Sequence, residues 1–422
     1  MRRLVILMSA AAVLALQACC GRQSHLVADE SVIVTSPCPD SIYLYTPAIV
    51  EGFDGRYVVA VDYGGPGTSA LDGPKSDFGD YKAGNQIRVL LSDDRGAHWR
   101  ETSARIPMMH EILFKAGESL YMIGHSRRLL ICRSDDNGET WTEPSVLCAE
   151  GRWHQSCTSV DVHDGKVTLA YERWISDGHP WPGVGPVLMQ APVSADLTQA
   201  SSWKFSPLYD PDPAMEEARP AGMALEGDGH SGLLETNVVR VVQPGGAGGA
   251  PGVGVAGGAV RPFYDSTGRS VVLLSRANAG MPDIGVILRG REMPDGTLQI
   301  DRWPRKSGEV LFAHIPGGHL KFHIVYDSVS GLFWLLHSQS DGLMQERRRL
   351  ALSYSPDLLR WTFAGLVAVG PSDHSARHYA TMIIDGDDLC IVSRSGDLAA
   401  RTAHDGNIVT FHRVKDFRRL VY

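Results

Sequence analysis

The sequence predicts an all-β chain folded as a six-bladed β-propeller of four-stranded antiparallel blades, with seven blades as the alternative. Three observations carry that expectation. From Tyr45 onward, short β-rich runs alternate with Gly, Asp and Asn turns, and almost no stretch shows the 3.6-residue period of a helix. The runs group in fours, each group closed by an aromatic residue, about every 40–60 residues. One eight-residue turn is also written twice, as SDDRGAHW at 92–99 and SDDNGETW at 134–141. In the shared spacing Ser-x-Asp-x-Gly-x-x-Trp, the hydroxyl and carboxylate bond local amides, Gly takes the positive φ and Trp plugs an apolar gap in the next strand.

The elements follow in chain order. Residues 1–18 run from Met1-Arg2-Arg3 through an apolar stretch, Leu4 to Leu16, to Gln17-Ala18, the layout of an export signal. The apolar run falls short of the roughly 20 residues of a membrane helix. LQAC looks like a lipobox whose Cys19 carries a lipid, with plain secretion as the alternative. Either way the expected location is the bacterial cell envelope or beyond it. Residues 19–40 form a linker in which SVIVTS, Ser31 to Ser36, is placed to join the last blade and close the ring; the propeller occupies 41–422. Blade 1 reads TPAIVEG, RYVVAVDYGG, NQIRVLLSDDRG, HWRETSARI, and blade 2 HEILFKAG, SLYMIGHS, LLICRSDDNG, TWTEPSVLC. Four more units end near Trp203, Trp303, Trp361 and Phe411, and the fifth carries a degenerate turn, SYSPDLLRW. The fourth is longest because it holds VQPGGAGGAPGVGVAGGAV, read as a mobile Gly-rich insertion. Its formal GxGxxG, Gly252 to Gly257, lacks any strand-to-helix context and is not a nucleotide site.

A formal net charge of −8 over 422 residues, with no Lys/Arg run longer than Arg347-Arg348-Arg349, excludes a polyanion-binding surface, so nucleic acid is not an expected partner. The seven cysteines are too sparse for a disulfide scaffold, although an occasional disulfide stays open, and none has CxxC zinc spacing. No cofactor or metal ligand set is read from the sequence, a calcium ion held by loop aspartates stays open, and the chain reads as a monomer.

Together the two Asp-box turns, the six-blade count and the export signal resemble the sialidase superfamily of secreted glycoside hydrolases over nearly the whole mature chain. That resemblance implies site residues one by one. Asp80, in the loop before the first turn, stands where the family has its acid/base. Glu235 in LLETNVVRVV and Arg276 in RSVVLLSRAN match a Glu and an Arg on successive strands. Arg347 in QERRRLALSYSPDLLRW, with Arg348 one step away, matches a late Arg, and Tyr379 in HYATMIIDGDDLC matches the nucleophile. The chemistry explains the set. A sialic acid carries a carboxylate on its anomeric carbon, so a neutral Tyr assisted by a Glu is a better nucleophile than a repelled carboxylate. Arginines hold the substrate anion and Asp protonates the leaving oxygen. The family's first clamp arginine is absent: Tyr45 stands in its place, which implies either weak binding of sialic acid or, the favoured reading, a pocket for another sugar.

Segments such as RWHQSCTSVDVHDGK and HDGNIVTFHRVKDFR also resemble sialidase-like proteins related to propeller rhamnosidases and to lyases acting on rhamnose-uronate linkages. His154 matches that group's His, but Trp153 and Leu169 occupy the places of its Tyr and Arg. His110 is a further candidate base, and Lys321, Arg394, His404, Asp405 and Asn407 are candidate pocket residues. The expected function is an exo-glycosidase acting on the non-reducing end of a glycan. Its rivals are a polysaccharide lyase and a non-catalytic glycan-binding propeller.

Overall fold

The computed structural model describes residues 26, 30–79, 81–179, 181–213, 232–243, 261–305, 308–340 and 346–422. Asp80, Cys19 with the export segment, and most of the Gly-rich stretch lie outside the described residues. Among the described residues the strands form six antiparallel blades, as the sequence predicts. Their innermost strands are Tyr43–Glu51, Met109–Ala116, the split strand Trp153–His154 with Asp161–His163, Leu233–Val239, His323–Asp327 and Arg377–Asp385. These strands pack side by side around the central axis. In place of a seventh blade, the long fourth unit adds a two-stranded hairpin, Trp303–Arg305 with Gly308–Val310.

The ring closes as the early strand suggests. Glu30–Thr35 pairs antiparallel with Ile408–Val414 and becomes the outer strand of the sixth blade. Arg377, nearly buried, is held to Glu30 by two hydrogen bonds of 2.9 and 2.5 Å. The ends of the chain are thereby fastened in one sheet, which removes two unpaired edges.

The core is six cores rather than one. Each apolar cluster is built from the facing sides of two neighbouring blades, such as Ala48, Val58 and Leu91 with Leu113, Met122 and Leu130 between blades 1 and 2. Comparable clusters fill the five other joints, the last between blades 6 and 1. A strand sandwiched in this way is buried on both faces, and Tyr57–Gly64 and Leu332–Ser338 are accordingly buried throughout.

The repeated turn fastens two of these joints, that between blades 1 and 2 and that between blades 6 and 1. Ser92 Oγ donates to Asp94 and accepts from Gly96 N–H, Asp94 accepts from His98 N–H, and the Trp99 indole donates to the Gly96 carbonyl. Ser134, Asp136, Gly138, Thr140 and Trp141 repeat the pattern bond for bond. Gly138 has φ +88°, and an added Cβ would lie 2.8 Å from Val58 of blade 1. Gly96 has φ +91° and presses likewise on Phe411 of blade 6. Only glycine permits that backbone and that approach. Cys38, Cys132, Cys148, Cys157 and Cys390 are free thiols.

Candidate active site

In four blades the innermost strand carries a bulge just after it begins. Its register jumps between Tyr45 and Ala48, Met109 and Ile112, Leu234 and Asn237, and His378 and Thr381. A bulge re-aims the residue it leaves out of the ladder. The first residues left out are Thr46, His110, Glu235 and Tyr379, and all four line one cavity of about 530 Å³ at the axis. His110, Glu235 and Tyr379 take φ of +54°, +53° and +49°, a left-handed backbone that few non-glycine residues adopt. Opposite the residue preceding each bulge, the second strand places Asp62, His125, Arg276 and Arg394; in blade 3, Glu172 faces His154. The propeller thus repeats a pairing of inner-strand and second-strand side chains around its axis.

One side of the cavity brings the candidate nucleophile and its neighbours together. Arg276 Nη1 donates to the Tyr379 hydroxyl at 2.9 Å and lies 3.4 and 3.5 Å from the two Glu235 carboxylate oxygens, an ion-pair contact more than a tight hydrogen bond. Burial alone would raise the Glu235 pKa, but the Arg276 charge and a hydrogen bond with Tyr379 outweigh it and hold the carboxyl below its ordinary value. Tyr379 is shifted the other way by burial and the Glu235 charge, against the pull of three arginines, and remains a neutral phenol at neutral pH. A protonated phenol beside an ionised carboxylate is the arrangement in which proton transfer prepares a nucleophile.

Arg347 joins from blade 5, with Nη1 3.0 Å from His378 Nδ1 and its guanidinium 5.6 Å from the Tyr379 ring centre. Its neighbour Arg348 instead pairs with Asp373 at the surface. Arg394 is the third cation, its guanidinium 4.2 Å from the Tyr379 ring centre and 4.6 Å from that of Tyr45. It is almost wholly buried, donates to the His404 carbonyl at 3.2 Å and leaves Nε without a partner. The Tyr45 hydroxyl donates to Asp405 at 3.0 Å, and His404 Nδ1 lies 2.9 Å from the same carboxylate. The place of the absent arginine is therefore not a gap: an arginine from the second strand of blade 6 stacks on the tyrosine that occupies it.

The facing side is built of histidines. His110 Nδ1 is 3.2 Å from His125 Nε2, and His154 meets the His110 ring at 5.5 Å. Asp62 accepts from the His110 amide, and the Tyr171 hydroxyl donates to its carbonyl at 2.8 Å, which locks the bulge. Burial holds His125 down to about 3 and His110 well below the usual imidazole range, so both are neutral. His154 Nδ1 lies 3.6 Å from Glu172, whose other oxygen accepts from Gln155 and from the Thr236 amide beside Glu235.

Three expected pocket residues are not on the cavity wall, and of these Arg347 bears on it through His378 and the Tyr379 ring. Lys321 is buried beneath the site and is not on the cavity wall; its ammonium donates to the Ala380 carbonyl, and burial brings its pKa down to about 8. Asn407 ties the loop before the closing strand, bonding Asp397 through both ends of its amide. Of the two departures from the lyase pattern, Leu169 lies in the core between blades 2 and 3, while Trp153 is buried in that same core and reaches the cavity wall. Phe78 and Tyr81, on either side of Asp80, line the cavity. Sequence reading missed Asp62, His125 and Glu172; the available signal was a charged or imidazole side chain inside an otherwise apolar strand, as in YVVAVDYG, SLYMIGH and KVTLAYERW.

Comparison of the fold with solved structures finds a sialidase of Trypanosoma rangeli in complex with sialic acid, 15% identical, covering 93% of this chain and 60% of that one with a TM-score of 0.52. A Hadza microbial sialidase, Hz136, matches at 14% identity over 88% of this chain and 66% of that one, TM-score 0.52. A protein of unknown function from Dyadobacter fermentans matches at 11% identity over 92% and 98%, TM-score 0.53. The fold is that of a sialidase-like propeller. The chain spans about 60% of the length of the trypanosomal enzyme. No family model matches the sequence, and no curated protein does.

Proposed function

We propose that this propeller is an exo-acting glycosidase for an acidic sugar at the non-reducing end of a glycan. The observation that carries the reading is the Tyr379 hydroxyl held by Arg276 beside Glu235, with Arg347 and Arg394 around the same ring. Three guanidiniums against the two carboxylates of Glu235 and Asp405 leave this side of the cavity net positive, and an anionic ligand is what such a site favours. In the proposed reaction the Tyr379 oxygen attacks the anomeric carbon while its proton passes to Glu235. The glycosidic C–O bond breaks, and Asp80 protonates the departing oxygen. Water, deprotonated by Asp80, then displaces Tyr379, which recovers its proton from Glu235. Arg276 stabilises the phenolate character that develops on Tyr379 as its bond to the sugar forms in the first step and breaks in the second.

The histidines opposite support one rival, a lyase removing the proton next to a uronate carboxylate, with His110, held neutral by burial, or His154 as base. A panel of sialylated, rhamnosylated and uronate-containing oligosaccharides separates the readings. Hydrolysis releases a saturated monosaccharide, and Tyr379→Phe lowers kcat by at least about 10³-fold with the fold intact. A product absorbing in the ultraviolet from both proteins would move the chemistry to the histidines, and binding without any product would leave a glycan-binding propeller.

A further inference from the structure

A strip of aromatic side chains runs from the candidate catalytic carboxylate to the cavity mouth. His154, 3.6 Å from the Glu172 carboxylate that bonds the Thr236 amide next to Glu235, meets Trp181 edge-on at 5.1 Å. Trp181 lies 5.7 Å from Trp174, and Trp174 carries the Arg152 guanidinium 4.1 Å from its ring centre. Arg152 is also 5.3 Å from the Phe78 ring, and every member of the strip lines the cavity. Two features mark it as more than packing. Of the protein's nine tryptophans, Trp181 alone is exposed, at 56%, although an indole that size is ordinarily covered. Arg152, fixed between two rings, has a buried Nε with no hydrogen-bond partner, and among the described residues no carboxylate pairs with it. An apolar plate with a rigid N–H donor at its edge matches a pyranose, which presents C–H groups on one face and hydroxyls around its rim.

We infer that this strip binds the second sugar of the substrate. The protein therefore acts on an oligosaccharide: an acidic end residue among the three arginines, followed by a pyranose lying on Trp181 with its rim oxygens toward Arg152. The inference rests on the acidic-sugar reading of the pocket. It follows from continuity, since the strip begins at the residues beside Glu235 and is the same cavity rather than a separate groove. A cavity of about 530 Å³ also falls within the roughly 300–1,000 Å³ of sites that enclose ligands larger than one small ring.

Isothermal titration of the full chain, its Trp181→Ala variant and its Trp181→Phe variant with 3′-sialyllactose and trigalacturonic acid tests this. Each oligosaccharide is run beside the methyl glycoside of its own end sugar, and melting curves confirm that the variants fold. The parent is expected to bind at least one oligosaccharide about tenfold more tightly than the matching methyl glycoside. Trp181→Ala should bring that ratio close to one, and Trp181→Phe should restore most of it. A ratio unchanged in Trp181→Ala overturns the inference, as does failure of the parent to bind either oligosaccharide. Lactose and cellotriose check the underlying reading separately. Neutral sugars bound through Trp181 as tightly as the acidic ones would keep the strip and remove the acidic pocket.

Discussion

Tyr379 and Glu235 sit at φ +49° and +53°, each at a cost of about 1–3 kcal/mol that the surrounding sheet must offset. Such strain persists where a side chain has to face one way, and here it turns one residue of blade 4 and one of blade 6 toward one arginine. Glu235, Arg276, Arg347 and Tyr379 were picked out by the sequence's resemblance to the sialidases, and the fold brings the four together. The part of Arg394 was not, because nothing local says that an arginine on the sixth blade lies over a tyrosine of the first; ring closure decides it. Arg394→Ala is expected to raise KM for an acidic substrate about 10- to 150-fold, the range of one lost charged hydrogen bond of about 1.5–3 kcal/mol. A neutral analogue should be little affected, and an equal loss on both substrates would mean that Arg394 supports the fold instead.

The repeated turn is legible at the scale of the element for a physical reason: its hydrogen bonds join residues no more than four positions apart, so its pattern is contained in eight letters. What it fastens is not local. Asn137 accepts from the Phe53 amide of blade 1 and Glu139 bonds Arg56 there, so the turn is a joint between blades. Asp136→Ala should lower stability by about 1–2 kcal/mol, read as a drop of a few degrees in Tm, and leave kcat/KM unchanged. A change in kinetics at constant Tm would refute the purely architectural role. The bulges are the opposite case. Lys321 and Tyr379 are both polar residues near the start of an inner strand, yet one is buried under the site and the other faces it. Because side chains alternate faces along a strand, a displacement of one residue reverses the outcome, and only the paired register reveals it.

For the whole molecule, closure and titration set stability. Removing residues 1–36 would strip the outer strand from blade 6 and leave Arg377 without Glu30. The shortened chain should melt at least about 5 °C lower and associate through the exposed edge of Ile408–Val414, checked by calorimetry and light scattering. The interior also holds neutral imidazoles: His125 down to about 3, His319, His337 and His412 down to about 4, and His110, His323 and His378 well below the usual value, with burial the first cause in each. Because these folded pKa values lie below the unfolded value of about 6.5, the unfolded chain binds more protons between the two. Stability is therefore full above pH 6.5 and falls as pH drops toward 4, by up to about 1.4 kcal/mol per pH unit for each group. A Tm that stays flat from pH 6.5 to 4.5 would contradict this.

By itself the sequence determined the all-β class, the six repeats and the closing strand, and its resemblance to the sialidases pointed to four residues that the fold gathers around the Tyr379 ring. Each of these is written in short-range pattern: alternation, spacing, a turn's own hydrogen bonds, order along the chain. Only the tertiary structure decided that Arg394 stacks on Tyr45, that histidines from blades 2 and 3 form the facing side, that Lys321 lies below the pocket, and that Trp181 stays uncovered at its mouth. Those facts depend on how six sheets meet at one axis, and a side chain's neighbours there come from strands far apart in the chain.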